Sequence, residues 1–360
     1  MNSVERTVVL GAGLMGRLLA CELARTGHAV DVYDAATPDS PGSAAHVAAA
    51  MLAPLAESAV TEVGVVRMGS HSLLRWPELI GTLGQPVFFQ QQGTLVLWHR
   101  QDAAEATRFQ QLLSATAQAL PQLPAVEVLD GAGLARLEPA LDERFPQGLY
   151  LPGEGQLDNR ELLAALLHRM QALDVRVHWN SPRSPADFDE RCGGWLFDCR
   201  GLGARADWTT LRGVRGEVIR IHAPEVTLTR PTRLLHPRYP IYIAPKAGGV
   251  FFIGATEIES DDMSPVSVRS ALELLSAAYT VHPGFAEARI LELCAQCRPV
   301  LRDNLPALRW LGPRRLQING LYRHGFLIAP AMLDVVMECV SEGRSALADG
   351  FALRVESAPG

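Results

Sequence analysis

A glycine turn set between a strand and a helix constrains this chain more than any other feature. Thr7-Val8-Val9-Leu10 reads as a strand, Gly11-Ala12-Gly13-Leu14-Met15-Gly16 as a tight turn, and a helical pattern follows to about Thr26. Gly27 closes that helix as a C-terminal cap would. Apolar residues fill both the Leu14/Leu18/Cys21 row and the Met15/Leu19/Leu23 row, so much of its circumference is expected to be buried. A second strand, Ala29-Val30-Asp31-Val32-Tyr33, ends at Asp34, 18 residues after Gly16. In this order Gly11 permits the turn, Gly13 lets the backbone approach a pyrophosphate, and Gly16 lets helix and strand pack closely. The helix N-terminus, Leu14 and Met15 included, faces the anion. A carboxylate at Asp34 suits ribose hydroxyls and repels the 2′-phosphate of NADP. The pattern therefore predicts an ADP-containing cofactor and leaves NAD or FAD open.

Composition removes several other classes. Lys and Arg number 33 against 39 Asp and Glu, a net charge of −6, which argues against a general nucleic-acid binder. Hydrophobic residues make up 48% and charged residues 20%, as in a folded globular chain, so global disorder is excluded. No uninterrupted apolar run approaches the roughly 20 residues of a membrane span, and the longest, around Val47 to Leu55, is broken by Pro54. Only six residues precede the first strand, with no room for a secretory leader, so a cytoplasmic location is expected. Six cysteines in 360 residues are no disulfide framework. Cys294 and Cys297 form a lone CxxC with no second pair, so no metal site is predicted.

The choice of cofactor turns on the next segment. Pro41-Gly42-Ser43-Ala44-Ala45-His46-Val47-Ala48-Ala49-Ala50-Met51-Leu52-Ala53-Pro54 is rich in small side chains, which permit close approach by a flat ligand or by another helix. Here the chain resembles the D-amino-acid oxidase superfamily of flavoproteins, particularly glycine oxidases of the thiazole-biosynthesis type, in which a segment of this kind passes the FAD pyrophosphate and flavin. With gaps, the resemblance covers nearly the whole length. Phe88 to Leu97 looks like a strand pair joined through Gly93, and Phe197-Asp198-Cys199-Arg200-Gly201 resembles a second FAD-contacting turn. Glu161 to Leu173 reads as a helix with Asp158 or Asn159 as its cap.

What the resemblance implies is an α/β fold: a Rossmann-like FAD-binding domain interleaved with a smaller α+β substrate domain on an antiparallel sheet. The expected cofactor-domain segments are 1–80, 145–212 and 290–360; the expected substrate-domain segments are 81–144 and 213–289. FAD is the implied cofactor, held by Gly11, Gly13, Leu14, Met15, Gly16, Asp34, Ser43, His46, Met51, Gly201, Gly320, Arg323, His324, Gly325 and Phe326. Gly320 to Gly325 resembles the family's loop at the flavin pyrimidine end, and a helix over about Ala331 to Val340 would lend it a dipole. Gly248-Gly249 is expected to turn a hairpin between the strands around Tyr242 and Gly254.

The same resemblance assigns Tyr242 and Arg298 to the substrate carboxylate. Arginine suits that role because its planar fork offers two parallel donors and stays charged at any working pH. Arg323 matches another family arginine near the substrate, and a loop salt bridge is its alternative reading. The implied reaction is hydride transfer from the α-carbon of a small amino acid or secondary amine to flavin N5. Oxygen then yields hydrogen peroxide, and glycine, sarcosine and small D-amino acids are the substrates in view. A dehydrogenase using a quinone or carrier protein, and a flavin-binding protein without turnover, are the alternatives. A homo-oligomer accords with the family. Three positions depart from its pattern. His46 replaces a small hydroxyl residue and raises a covalent histidyl-flavin link, Ala50 replaces a glycine, and Glu257 replaces an apolar residue near the substrate. Cys297 lies near a further position sometimes linked to flavin.

Overall fold

The computed structural model describes residues 6–37, 42–188 and 193–357. Residues 1–5 and Pro41 therefore lie outside the described residues. The chain opens with β1 (Arg6–Leu10), the glycine turn, α1 (Leu14–Arg25) and β2 (Ala29–Tyr33). The short α2 (Ala44–Val47), β3 (Met51–Leu52) and α3 (Pro54–Glu57) precede the long α4 (Val63–Gly81). Then come β4 (Phe89–Gln90), β5 (Thr94–Trp98), α5 (Ala103–Ala119), β6 (Glu127–Asp130), α6 (Gly131–Leu137) and β7 (Gln147–Leu151). Next are β8 (Gly155–Leu157), α7 (Asn159–Ala172), β9 (Arg176–His178) and β10 (Leu196–Asp198). They are followed by β11 (Arg212–His222), β12 (Thr232–Leu235), β13 (Ile241–Pro245), β14 (Val250–Gly254), α8 (Val268–Val281) and β15 (Arg289–Val300). The last elements are β16 (Ala307–Gly312), β17 (Arg315–Asn319), α9 (Gly325–Glu342), α10 (Ala346–Phe351) and β18 (Arg354–Ser357).

Two large sheets divide these strands. One runs β18-β16-β17-β10-β1-β2-β9 and is parallel except where β16 meets β17. Val9, Leu18, Leu19, Leu23, Phe197, Leu308, Ile328 and Leu333 belong to its core, so α1 and α9 pack there on their apolar faces. The other runs β15-β11-β14-β13-β12-β5-β7-β6, antiparallel apart from the β12–β5 pair. Its own core contains Leu95, Ile219, Ile243, Phe251, Ile253 and Leu274. Gly248 and Gly249 both have positive φ (69° and 70°) and turn the chain between β13 and β14, as expected. The most apolar helical stretch, Tyr322–Glu342, has the length and composition of a membrane span, yet 67% of that window is buried inside the protein.

Several local expectations meet a different outcome. The two strands expected on either side of Gly93 are present as β4 and β5, but they do not pair with each other: β4 pairs with β8 in a small third sheet while β5 joins the eight-stranded one. Gly93 makes that transfer with φ +77°, and a Cβ there would lie 2.2 Å from the Tyr150 ring. Strands β7 and β15, placed by number in the expected cofactor segments, are hydrogen-bonded into the eight-stranded sheet. The C-terminal helix begins at Gly325, six residues before the expected Ala331, and contains Pro330. Proline lacks the N–H that would bond the carbonyl four residues back. In this fold Trp76 Nε1 donates to that Phe326 carbonyl at 3.0 Å, and the Ala331 N–H donates to Ser72 Oγ at 3.1 Å. Side chains of α4 thus repair the break, and the helix continues through it.

Candidate active site

The cofactor end is built from the glycine turn outward. Gly11 has φ +91°, and a Cβ there would lie 2.7 Å from the Cys199 carbonyl oxygen. At Gly16 it would lie 1.8 Å from the Gly11 carbonyl oxygen, so any side chain would push α1 off β1. Gly13 is the N-cap of α1 and has no side chain to occupy the first N–H groups, which stay available to an anion. Asp34 accepts from the Ala12 N–H at 2.5 Å and the Ala36 N–H at 2.8 Å. It therefore braces the turn with one lone pair on each oxygen and keeps others for a ligand. Ser43 caps α2 by accepting from the Ala45 N–H at 3.2 Å.

These residues open onto one cavity of about 1210 Å³ that reaches from the first sheet to the second. Gly11, Gly13, Leu14, Met15, Asp34, Ser43, Met51 and Gly201 line it, as do Arg323, His324, Gly325 and Phe326 at the start of α9. Gly16 and Gly320 do not line it and act through packing: Gly320 has φ +76°, and a Cβ there would lie 2.8 Å from both Leu301 Cδ1 and the Leu305 carbonyl oxygen. His46 does not line the cavity either. Burial, and then the charge of Arg160, lowers its imidazole pKa. The geometry thus supplies no support for a covalent link through His46. Cys297 lines the cavity, but its thiol faces the Ser260 and Asp262 carbonyls and its pKa is raised, by burial first and then by Asp261.

At the other end, Tyr242 on β13 stands opposite Gly254 on β14, and a Cβ at Gly254 would lie 2.6 Å from the Tyr242 hydroxyl. Burial raises the phenol pKa, partly offset by Arg298, so the hydroxyl is a donor at neutral pH. Arg298 on β15 donates to the Thr256 carbonyl at 3.2 and 3.3 Å and, among the described residues, forms no ion pair. Room for its guanidinium comes from Gly216, where a Cβ would lie 2.2 Å from Arg298 Nη2. Tyr242 and Arg298 both line the cavity.

Arg323 is placed differently. It bonds Glu57 at 2.9 and 3.1 Å and Glu257 at 3.1 Å. The salt-bridge reading of Arg323 is therefore the one realised, although the side chain also faces the cavity. Glu257 is spoken for by the same contact.

Glu57 is the group that sequence reasoning missed. It is buried at the end of α3, where it gathers Arg233 at 2.6 Å, Arg323, and His324 at 3.4 Å. Burial alone would raise its pKa, but the Arg233 and Arg323 guanidiniums outweigh burial and hold the carboxyl far below the usual carboxylate range. His324 is pushed down to about 4 by burial, against the pull of Glu57, and is neutral at pH 7. The available signal was a lone carboxylate closing the otherwise uncharged Val47–Ala56 stretch. A second omission is Asn159, whose amide donates to the Ala45 and His46 carbonyls at 2.9 and 2.8 Å and holds the small-residue segment in place.

A family model described as FAD dependent oxidoreductase (DAO) matches residues 6–337. The chain belongs to that family. FAD is its cofactor, and the residues present fit it. Side chains are excluded at Gly11 and Gly16, α1 has an uncapped N-terminus, and the cavity exceeds the roughly 300–1,000 Å³ of ordinary ligand pockets. Among its relatives, a putative thiamine biosynthesis oxidoreductase ThiO of Rhizobium etli is 40% identical, over 92% of this chain and 95% of its own. The bifunctional protein ThiO/ThiG of Trichormus variabilis is 26% identical over 94% of this chain but only 53% of its own. Among solved structures, glycine oxidase from Geobacillus kaustophilus superposes with a TM-score of 0.79 at 25% identity, covering 94% of this chain and 95% of that one. This FAD-dependent oxidoreductase is thus of the glycine oxidase and ThiO type in sequence and fold.

Proposed function

We propose that the protein oxidises a small amino acid or secondary amine, with glycine, sarcosine or a small D-amino acid as substrate, and that its product supplies thiazole synthesis. The observation that carries this reading is the contrast between Arg298 and Arg323, two of the arginines that line the cavity. Arg323 is neutralised by Glu57 and Glu257, whereas Arg298 faces the cavity with only carbonyl partners. A guanidinium without a carboxylate partner suits the carboxylate of a ligand. The similarity to ThiO and glycine oxidase supports the same class.

FAD, when bound, would supply the two-electron oxidation at the carbon next to the amine, with oxygen as the final acceptor in this proposal. The protein's part is binding and orientation. Arg298 takes the substrate carboxylate in its fork, and the Tyr242 hydroxyl donates a further bond. Fixing the carboxylate fixes the α-carbon between this clamp and the cofactor end of the cavity. Glu57, Arg233 and Arg323 form a closed ion network, and none of the three is needed as a proton acceptor if the amine binds neutral. The N-terminus of α9 at Gly325 has no side-chain cap and lines the cavity, so the positive end of its dipole would stabilise negative charge there.

A cytoplasmic setting belongs to the same proposal. The deciding experiment is anaerobic titration of the purified protein with glycine, sarcosine, D-alanine, D-proline and larger D-amino acids. Bleaching of the flavin band by the small members is the expected result. No bleaching by any member would leave a flavin-binding protein without this activity. Peroxide formed under air, set against dye reduction under nitrogen, separates an oxidase from a dehydrogenase.

A further inference from the structure

Lys246 is buried behind the cavity and plays no part in the proposed chemistry. It follows β13, four residues after Tyr242, and does not line the cavity. Its ammonium donates to the Ala49 carbonyl at 2.9 Å, the Leu157 carbonyl at 2.8 Å and Gln156 Oε1 at 3.1 Å. The Phe252 ring of β14 lies 5.7 Å from the nitrogen. Three N–H donors thus meet three acceptors, and each acceptor is on a segment remote in sequence from Lys246.

The acceptors show what this contact holds. Ala48, Ala49, Ala50 and Met51 all line the cofactor cavity, yet residues 48–50 belong to no helix or strand. Ala50 has φ +52°, a conformation that a non-glycine residue adopts only when its surroundings impose it. The backbone tie there is the Leu157 N–H to the Ala50 carbonyl, at 3.2 Å. Asn159 tethers the upstream end, at Ala45 and His46. Lys246 tethers the downstream end, at the residue immediately before the left-handed turn. The same side chain is fixed to the strand that carries Tyr242, so it sets the spacing between the cofactor wall and the carboxylate clamp.

We propose that Lys246 is a positioning residue for FAD, acting through the Ala49 carbonyl to hold the Ala48–Met51 wall in its binding conformation. The proposal rests on FAD occupying the cavity and is independent of which amine is oxidised. Asn159 shares the task at the other end of the segment, and its contacts are left intact in the test.

The test compares wild-type holoenzyme with Lys246→Met, which keeps the stem and removes every donor, and Lys246→Arg, which keeps charge and donors but spreads them in a plane. FAD affinity is read from the fluorescence of cofactor released on dilution, and the environment of bound flavin from its visible absorption bands. Lys246→Met is expected to raise the FAD dissociation constant at least tenfold and to shift the bands. Lys246→Arg is expected to raise it at least threefold, and it supplies the answer if the methionine variant does not fold. A wild-type dissociation constant and spectrum in a folded variant overturns the proposal, even if its melting temperature has dropped, because a merely structural lysine would produce that drop alone. Bleaching by substrate is not one of the readouts, so a failure here is distinct from a failure of the functional reading.

Discussion

At the residue scale the site depends on which charges are already paired. In the proposed function Arg298 takes the substrate carboxylate, so Arg298→Ala should lower kcat/KM by about 100-fold, equivalent to about 3 kcal/mol, mostly through KM. Bound flavin should be unchanged; unaltered amine-oxidation kinetics in that variant would remove Arg298 from the site. Arg298→Lys should recover little of this loss, because an ammonium cannot reproduce the planar fork. Glu57 presents the opposite case. Removing it leaves Arg233 and Arg323 facing one another around a buried gap, and Glu57→Ala should cost about 3–5 kcal/mol in denaturant unfolding. Its carboxyl pKa is depressed in the folded state, so its contribution is full above the unfolded value of about 4.3 and is lost as pH falls toward the folded one. Wild-type stability should therefore fall steeply below about pH 4.5, and Glu57→Gln should show a shallower acid slope. Equal slopes would mean that Glu57 is not the titrating group. Its importance was illegible in the sequence for a physical reason. The partners Arg233 and Arg323 lie 176 and 266 residues away, and nothing local marks a carboxylate that only a tertiary cluster ionises. The glycine turn was legible because part of what it demands is local: Gly16 makes room for the Gly11 carbonyl and Asp34 answers the Ala12 N–H, whereas the Cys199 carbonyl that Gly11 makes room for is distant in sequence.

At the scale of elements, exceptions to local rules are repaired by a neighbour. The family resemblance implies a helix from about Ala331, just after Pro330. The fold carries α9 through because Trp76 and Ser72 of α4 satisfy the two backbone groups concerned. Trp76→Phe should accordingly cost about 1–3 kcal/mol for the orphaned Phe326 carbonyl, beyond any packing loss, in chemical denaturation. The shift bears on function, since starting at Gly325 brings the helix N-terminus to the cavity. In the eight-stranded sheet, glycine makes room instead. Gly216→Ala puts a methyl group 2.2 Å from the present position of Arg298 Nη2. Displacement of that guanidinium should raise KM at least tenfold with FAD content intact. A normal KM would show that the guanidinium reaches substrate from another position. The strands flanking Gly93 were legible but their partners were not: the glycine serves a change of sheet, and a local pattern does not say which sheet a strand will join.

At the scale of the molecule, the two sheets are threaded through one another. The seven-stranded sheet sets β1 beside β10 and β10 beside β17, pairing Val8 with Leu196 and Leu196 with Arg315. Strands β5 to β7 of the other sheet lie in the first intervening stretch and β11 to β15 in the second, and α9 packs against α1 from the far end of the chain. Interleaving was foreseeable from the recurrence of cofactor-type motifs at separated positions, but the sheet membership of β7 and β15 depended on long-range pairing. This order has a consequence for biogenesis. Chains leave the ribosome N-terminus first, at about 5–20 residues per second. The glycine turn emerges early and its strand neighbours β2 and β10 follow within the first two hundred residues, but α9, which packs on α1 and lines the cavity, emerges only after some three hundred. The complete lining of the cavity is therefore a late product of synthesis: its first residues stand exposed until nearly the last have been made.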